Sequence, residues 1–162
     1  MNRRSLTLIS TLALALTGQA LATNSPIYTS GMMKKIAING YDPVAYLVRQ
    51  QAFKGDKRYQ TKWRCATWEF RDQKNLNLFR KNPEKYAPQY GGYCAYAMAQ
   101  KNGLFVKTDP HAFTIYNKKL YLNANKKVKR MWLKNKAQFI ATADENWQAH
   151  QTDGSLTPCK GK

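Results

Sequence analysis

The chain has 162 residues, of which 27 are Lys or Arg and 9 are Asp or Glu, so its formal net charge is +18. One domain is the default at this length, and 43% apolar residues is too many for a disordered chain. The sequence contains no run of roughly 18 or more apolar residues, so we expect no bilayer-spanning helix.

The N-terminus has the pattern of a secretory signal peptide. Arg3 and Arg4 form a basic start, a mostly apolar stretch follows, and Ala20-Leu21-Ala22 fits a small-x-small cleavage site. A buried N-terminal helix is the alternative. We predict export to the periplasm or the exterior, with cleavage after Ala22. The mature chain would then hold 25 basic against 9 acidic residues, a charge of +16.

These signals divide the chain into four segments. Residues 1–22 are the predicted signal peptide, and residues 23–35 look like a flexible N-terminal arm. The folded domain is expected over 36–147. The last segment, 148–162, is a tail in which we find no hydrophobic periodicity.

The first half of the domain is predicted to contain two capped helices and a strand. Asp42 can cap a helix over 43–48, because the proline at its first position has no N–H to lose. Alternating apolar residues over 62–70 predict a strand. Asp72 is the predicted cap of a second helix over 73–80.

The second half of the domain is predicted to contain a hairpin between helices. Residues 93–100 are read as a helix, although strand alternation also fits them. Segments 113–116 and 120–122 flank turn-forming residues and predict a hairpin. Asn125 can cap a helix, and a last helix covers 139–147. The whole pattern predicts a small single α+β domain with a short antiparallel sheet and several short helices.

The three cysteines allow one intramolecular disulfide and leave one thiol. A disulfide is expected in the oxidising compartment that an exported protein meets. A bridge from Cys159 to Cys65 would anchor the otherwise unheld tail on the predicted strand. Closing so long a loop would stabilise the fold by about 4–5 kcal/mol in the chain-entropy model. We favour this pairing, which leaves Cys94 free, while pairings through Cys94 stay open.

Cys94 has the neighbours best suited to chemistry. Met98 follows four residues later and would share its face of a helix, and His111 is available from the next loop. Cysteine and methionine are soft ligands that suit copper(I), so these three residues are candidate metal ligands. Their spacing is no recognised metal motif, and a buried Cys94 beside a core methionine is the structural alternative. A nucleophilic Cys94, activated by a helix N-terminus and His111, is the third reading.

Carboxylates are too few and too scattered to predict paired acid/base catalysis. Asp42, Glu69, Glu84 and Asp109 are more easily interpreted as helix caps and ion-pair partners. An enzymatic function is therefore not favoured.

Basic residues cluster toward the C-terminal half of the chain, with aromatic residues among them. Such a mixture can bind nucleic acid, but an exported protein rarely meets nucleic acid, and lysines on a helix most often form a solvated face. Attraction to an anionic envelope surface or to an acidic protein is the functional interpretation that we prefer. The cluster consists of Lys118, Lys119, Lys126, Lys127, Lys129, Arg130, Lys134 and Lys136.

Five segments carry a recognisable family pattern. The longest, 82–97, contains a Tyr-Gly-Gly-Tyr-Cys motif that ends at Cys94. Together they resemble exported bacterial YHS-domain proteins over roughly residues 36–147. The other four segments are 37–46, 66–70, 119–123 and 143–147.

This resemblance implies a small α+β module related in pattern to treble-clef-like metal-binding domains, with a cysteine that binds soft metal. Shorter YHS domains have a cysteine just after an Asp-Pro-Val, where this chain has Ala45, so one supposed ligand is missing. Cys65 and Cys159 look like additions to the family pattern, which supports pairing them with each other. The residues expected to shape the site are Tyr41, Asp42, Tyr90, Gly91, Gly92 and Tyr93.

The leading functional prediction is therefore soft-metal binding, copper(I) first, in envelope metal handling. Cys94 would be the principal ligand, with Met98 and His111 as partners. The alternatives are a non-catalytic interaction module in which the motif is structural and, third, a thiol-dependent enzyme.

Overall fold

The computed structural model describes residues 24–31 and 33–159. The predicted signal peptide lies outside these residues. The described part has the predicted α+β composition, with α-helices, a four-stranded sheet and a two-stranded sheet. Within it, no helix combines the length and the apolar character needed to cross a bilayer.

The four-stranded sheet contains β1 (Thr29–Ser30), β2 (Ile36–Ala37), β3 (Asp56–Trp63) and β4 (Ala66–Phe70). Its strand order is β1-β2-β4-β3, in which β2 runs parallel to β4 and the other neighbours are antiparallel. The sheet therefore joins the N-terminal segment to the β3–β4 hairpin.

The β3–β4 hairpin replaces the single strand that alternation predicts over 62–70. The chain turns at Arg64 and Cys65, whose φ angles are +47° and +61°. Trp63 consequently pairs with Ala66 across the turn. Two-residue hairpin turns with positive φ normally use Asn, Asp or Gly, so an Arg-Cys pair does not predict a turn here.

The second sheet is the predicted hairpin, formed by β5 (Asp109–Tyr116) and β6 (Lys119–Asn123). Its turn residues, Asn117 and Lys118, have φ angles of +49° and +61°. Both strands are longer than the predicted ones, because a register shift between Asp109 and Phe113 lets β5 continue past the regular ladder.

Three helices begin at the caps predicted from the sequence. Asp42, Asp72 and Asn125 each accept a backbone N–H in the first turn, at 2.8, 2.8 and 2.9 Å. The helices are α1 (Pro43–Arg49), α2 (Gln73–Lys81), α3 (Pro83–Tyr86), α4 (Ala95–Met98), α5 (Lys126–Lys134) and α6 (Lys136–Thr152).

The helix predicted over 93–100 is one turn, α4, in the structure. The helix ends there because the chain folds back on itself. The backbone N–H of Leu104 donates to the carbonyl of Ala97 at 3.1 Å. A tight turn at Gly103, with φ of +57°, makes this reversal possible. Cys94 consequently lies just before a short helix rather than inside a long one.

Two apolar clusters form the core. The larger packs the four-stranded sheet against α1 and α2, where Phe79 contacts Trp68 and Phe70 with ring centroids 5.1 and 5.0 Å apart. The smaller lies under α4, α5 and α6 and contains Met98 and the fully buried Trp132. Burying each such side chain stabilises the fold by about 1.5–3 kcal/mol.

The segment predicted as a flexible arm packs onto the domain over residues 24–30. Ile27 is 2% exposed and belongs to the larger core cluster. The backbone N–H of Tyr28 donates to the carbonyl of Gly91 at 2.8 Å, and β1 pairs with β2. The arm was predicted from polar and turn-forming residues. Such residues do not indicate that a single apolar side chain among them, Ile27, packs into the core.

The disulfide joins Cys65 to Cys159, as predicted, with Cα atoms 5.5 Å apart, and Cys94 is the free thiol. The tail is also held by hydrogen bonds to the N-terminal segment. The N–H of Asn24 donates to Ser155, and the N–H of Thr157 donates to Asn24, both at 2.8 Å. The bridge therefore fixes both ends of the described chain beside the β3–β4 turn.

Candidate functional site

The Tyr-Gly-Gly-Tyr-Cys motif forms a tight loop between α3 and α4. Three successive residues, Tyr90, Gly91 and Gly92, have positive φ angles of 55°, 61° and 87°. A Cβ atom at Gly91 would lie 2.0 Å from the carbonyl oxygen of Pro26, and one at Gly92 would lie 2.7 Å from Ile38. Gly91 is therefore needed so that the N-terminal segment can pack on this loop, and Gly92 so that the side chain of Ile38 can.

The two tyrosines of the motif are anchored by their hydroxyl groups. Tyr90 donates to Asp144 of α6 at 2.8 Å, and Tyr93 donates to the carbonyl of Ser25 at 3.0 Å. Burial raises the pKa of Tyr93 to about 12, and burial together with Asp144 raises the pKa of Tyr90 well above its usual value. Both hydroxyls stay protonated at neutral pH and serve as hydrogen-bond donors within the fold.

Cys94 is 1% exposed and lies between α4 and the end of β6. Its Sγ is 3.3 Å from the backbone N–H of Ala124, which donates to it, and 3.7 Å from Oδ1 of Asn123. The same Oδ1 accepts the N–H of Tyr96 at 3.1 Å. The thiol is therefore one member of a buried network that joins α4 to β6.

Burial raises the pKa of the Cys94 thiol, although the backbone N–H groups of Ala97, Ala124 and Tyr96 act in the opposite direction. The thiol form consequently dominates at neutral pH. A nucleophilic cysteine needs a lowered pKa and access to substrate, and Cys94 has neither.

Asn123 is a neighbour of Cys94 that the sequence does not predict. It is fully buried, and its Nδ2 has no hydrogen-bond partner among the described residues. No sequence motif marks its position at the end of β6, and it reaches the thiol because β6 packs against the start of α4. An asparagine at a strand end more often reads as a turn signal than as a buried partner.

Met98 and His111, the other two predicted ligands, have different neighbours from Cys94. Met98 is fully buried, and its Sδ lies 2.9 Å from the position that a Cβ at Gly103 would take, as does Nε2 of His150. His111 is exposed, with its Nε2 3.2 Å from the hydroxyl of Tyr41. The polar partners of Cys94 Sγ and His111 Nε2 are therefore different, while Met98 lies beside Gly103 and His150.

Tyr41 and His111 form a surface pair. Their rings meet edge to face with centroids 5.5 Å apart, and the ammonium group of Lys54 lies 5.0 Å from the centre of the Tyr41 ring. The pair links the start of α1 to β5 at the surface.

Asp42, predicted to shape the site, is a buried structural carboxylate. One oxygen accepts the N–H groups of Val44 and Ala45 at 2.8 and 3.2 Å. The other accepts the N–H of Arg71 at 2.9 Å and Nδ2 of Asn75 at 2.6 Å. These four bonds join α1, the end of β4 and α2, so the carboxylate has no free acceptor aimed at a ligand.

Over residues 24–31 and 33–159, no three His, Cys, Asp or Glu side chains come together as a group that could hold a metal ion. A site on Cys94 could therefore take at most one further ligand of these types from the described residues as they are placed, and would draw the rest from methionine or from backbone groups.

The strongest charge feature is the solvent side of α5, which we call the basic face. Its members are exposed and lie opposite the buried Trp132, and none forms an ion pair with a carboxylate of the described chain. Met131 and Leu133, each 39% exposed, flank it. Residues 110–143 contain eight Lys or Arg and no Asp or Glu. The basic face consists of Lys126, Lys127, Arg130 and Lys134.

Comparisons with protein-family models, with curated proteins and with solved structures find no match for this chain.

Proposed function

We propose that the chain is a non-catalytic interaction module of the cell envelope that docks on anionic lipid surfaces through the basic face of α5. The proposal includes the relationship to exported YHS-domain proteins that the sequence suggests, with the Tyr-Gly-Gly-Tyr-Cys loop serving as a structural element. The disulfide between Cys65 and Cys159 supports an oxidising compartment.

The observation that carries the proposal is the uncompensated charge of the basic face. Lys126, Arg130 and Lys134 are spaced four residues apart, so they form one row along the helix. Partly exposed apolar side chains on either side suit the boundary between headgroups and acyl chains. An acidic protein would satisfy the charges but would not need this apolar border.

Vesicle binding tests the proposal. The purified, oxidised protein should co-sediment with vesicles of phosphatidylglycerol and phosphatidylcholine, and binding should weaken as salt is raised. Replacing Lys126, Lys127 and Arg130 by glutamine should weaken binding about tenfold or more, since each cation near an anionic surface contributes roughly 1 kcal/mol. Pure phosphatidylcholine vesicles should bind little.

A matched control removes the same charge elsewhere. Lys74, Lys81 and Lys101 are exposed and lie outside α5, so their replacement by glutamine should change vesicle binding far less than the α5 triple variant. Equal losses in the two triple variants would mean that only net charge matters, which contradicts docking through α5. Absence of vesicle binding would leave an acidic protein as the partner of the basic face.

Copper(I) binding is the second candidate, and the hydrogen bonding of Cys94 favours it. The N–H of Ala124 points at Sγ from 3.3 Å, and such donors stabilise the thiolate that a soft metal needs. Burial opposes ionisation, so binding would require the metal to displace the proton. Met98, one helical turn further along α4, would supply a second sulfur, and His111 would have to leave its contact with Tyr41 to join the site.

A competition titration decides the copper candidate. Protein with Cys94 shown to be reduced would take one copper(I) ion per chain from bicinchoninic acid under anaerobic conditions. Cys94→Ala should abolish this uptake, while Met98→Leu and His111→Gln should each weaken it. No transfer of copper to the reduced protein, or equal transfer to Cys94→Ala, would exclude Cys94 as a ligand.

A further inference from the structure

A cleft of about 880 Å³ opens on the outer face of the four-stranded sheet. It is lined by the turn between β1 and β2 and by side chains of β3 and β4 that face away from the core. Thr67 and Glu69 point into it, whereas Trp68 and Phe70 point into the core. The volume lies in the range of small-molecule sites and exceeds what a simple inorganic ion would fill.

Four lysines line this cleft, namely Lys34, Lys35, Lys57 and Lys62, and none of them forms an ion pair with a carboxylate of the described residues. Residues 57 and 62 would face opposite sides of a regular strand, since their numbers differ by five. The register shift in β3 between Asp56 and Gln60 lets both line the same cleft. An irregular strand thus gathers cations that sequence spacing separates.

Glu69 is the one carboxylate in the lining, and it is 5% exposed. Its Oε1 accepts Nε2 of Gln60 at 3.2 Å. A Cβ at Gly40 would lie 2.5 Å from Oε2 of Glu69, and one at Gly55 would lie 2.6 Å from its Cβ, so two glycines make room for this side chain. No cation of the described chain pairs with this enclosed carboxylate. The Glu69 carboxylate can therefore accept a further hydrogen bond from a ligand in the cleft.

We propose that this cleft binds an acidic carbohydrate, that is, a sugar carrying a carboxylate or a phosphate group. The anionic group binds among the lysines, which supply charge-assisted hydrogen bonds. The sugar hydroxyls donate to Glu69 and bond with Gln60. The aliphatic side chain of Ile36 contacts the ring. This site shares no residue with the basic face of α5 and is independent of lipid docking.

Titrations followed by NMR amide shifts and by calorimetry test the site with four probes: glucose 6-phosphate, glucuronate, glucose and inorganic phosphate. Glucose 6-phosphate or glucuronate should bind saturably and shift the amides of β3 and β4. Whichever of these two sugar acids binds should have an affinity about fivefold or more above that of glucose or of phosphate. Only the sugar acids can contact both the lysines and Glu69. Comparing the two acids identifies the preferred anionic group.

Variants separate the cleft from general charge attraction. Lys57→Gln with Lys62→Gln should weaken binding of the sugar acid at least about fivefold, whereas Lys74→Gln with Lys81→Gln, which removes the same charge on α2, should not. Glu69→Gln should tighten phosphate binding by removing repulsion, and the preference for glucose 6-phosphate over phosphate should shrink. Glu145→Gln on α6 makes the same charge change outside the cleft and should alter neither.

Three results would overturn the proposal: no saturable binding of either sugar acid, phosphate binding as tightly as the sugar acids, or equal losses in the two lysine double variants. If Glu69→Gln does not fold, the exposed lysine variants still decide the matter, since their side chains carry no core packing.

Discussion

Replacing Asp42 by alanine is expected to lower the free energy of unfolding by about 3–5 kcal/mol, as measured by urea denaturation. The change removes four hydrogen bonds to one carboxylate and leaves the donors from Arg71 and Asn75 facing an empty space. Asp42→Asn keeps one oxygen for the helix cap but points an amide N–H₂ at those donors, so its loss should be intermediate.

Asp72→Ala is the matched control for this prediction. Asp72 also caps a helix, but its side chain accepts only the N–H of Asn75 within the described contacts. Its removal should cost about 1 kcal/mol, the usual value for a helix cap. If Asp42→Ala and Asp72→Ala proved equally destabilising, Asp42 would be no more than a cap.

Loss of the disulfide should have a comparable effect. The bridge spans 94 residues, so replacing Cys65 and Cys159 together by serine should destabilise the protein by about 4–5 kcal/mol in the chain-entropy model. The change should be seen as a lower midpoint of urea unfolding. Limited proteolysis should also cut the C-terminal tail near Ser155 sooner, because the tail would lose its covalent anchor and depend on non-covalent contacts such as its two backbone hydrogen bonds to Asn24.

Reductant provides the control for the disulfide prediction. It should lower the unfolding midpoint of the natural protein and leave that of the double serine variant unchanged. If the natural protein kept its midpoint after the bridge had been shown by peptide mapping to be reduced, the constraint on the unfolded chain would not be the source of stability.

Cys94 and the basic face differ in how easily a ligand can reach them. Cys94 is buried, its pKa is raised, and its Sγ already has partners in Ala124 and Asn123. The basic face is exposed and its charges have no carboxylate partner in the described chain. A ligand could reach the basic face without any rearrangement of the protein. The structure around Cys94 would have to open first.

Features with a local cause are predictable from the order of the residues alone. Asp42, Asp72 and Asn125 cap helices because the side-chain oxygen accepts a backbone N–H that lies only two or three residues further along the chain. The β5–β6 hairpin follows from alternation on either side of a short polar turn. The charge of α5 is likewise visible in the residue order, since residues 110–143 lack any acid.

The surroundings of those features depend on tertiary contacts that the residue order does not reveal. Asn123 reaches Cys94 because β6 packs against the start of α4, and Lys35 joins Lys62 in one cleft because β2 and β3 both pair with β4. The turn at Arg64 and the burial of Ile27 depend on the same packing. Local propensity carries no information about such contacts, because their energy comes from surfaces that meet only when the whole sheet has formed.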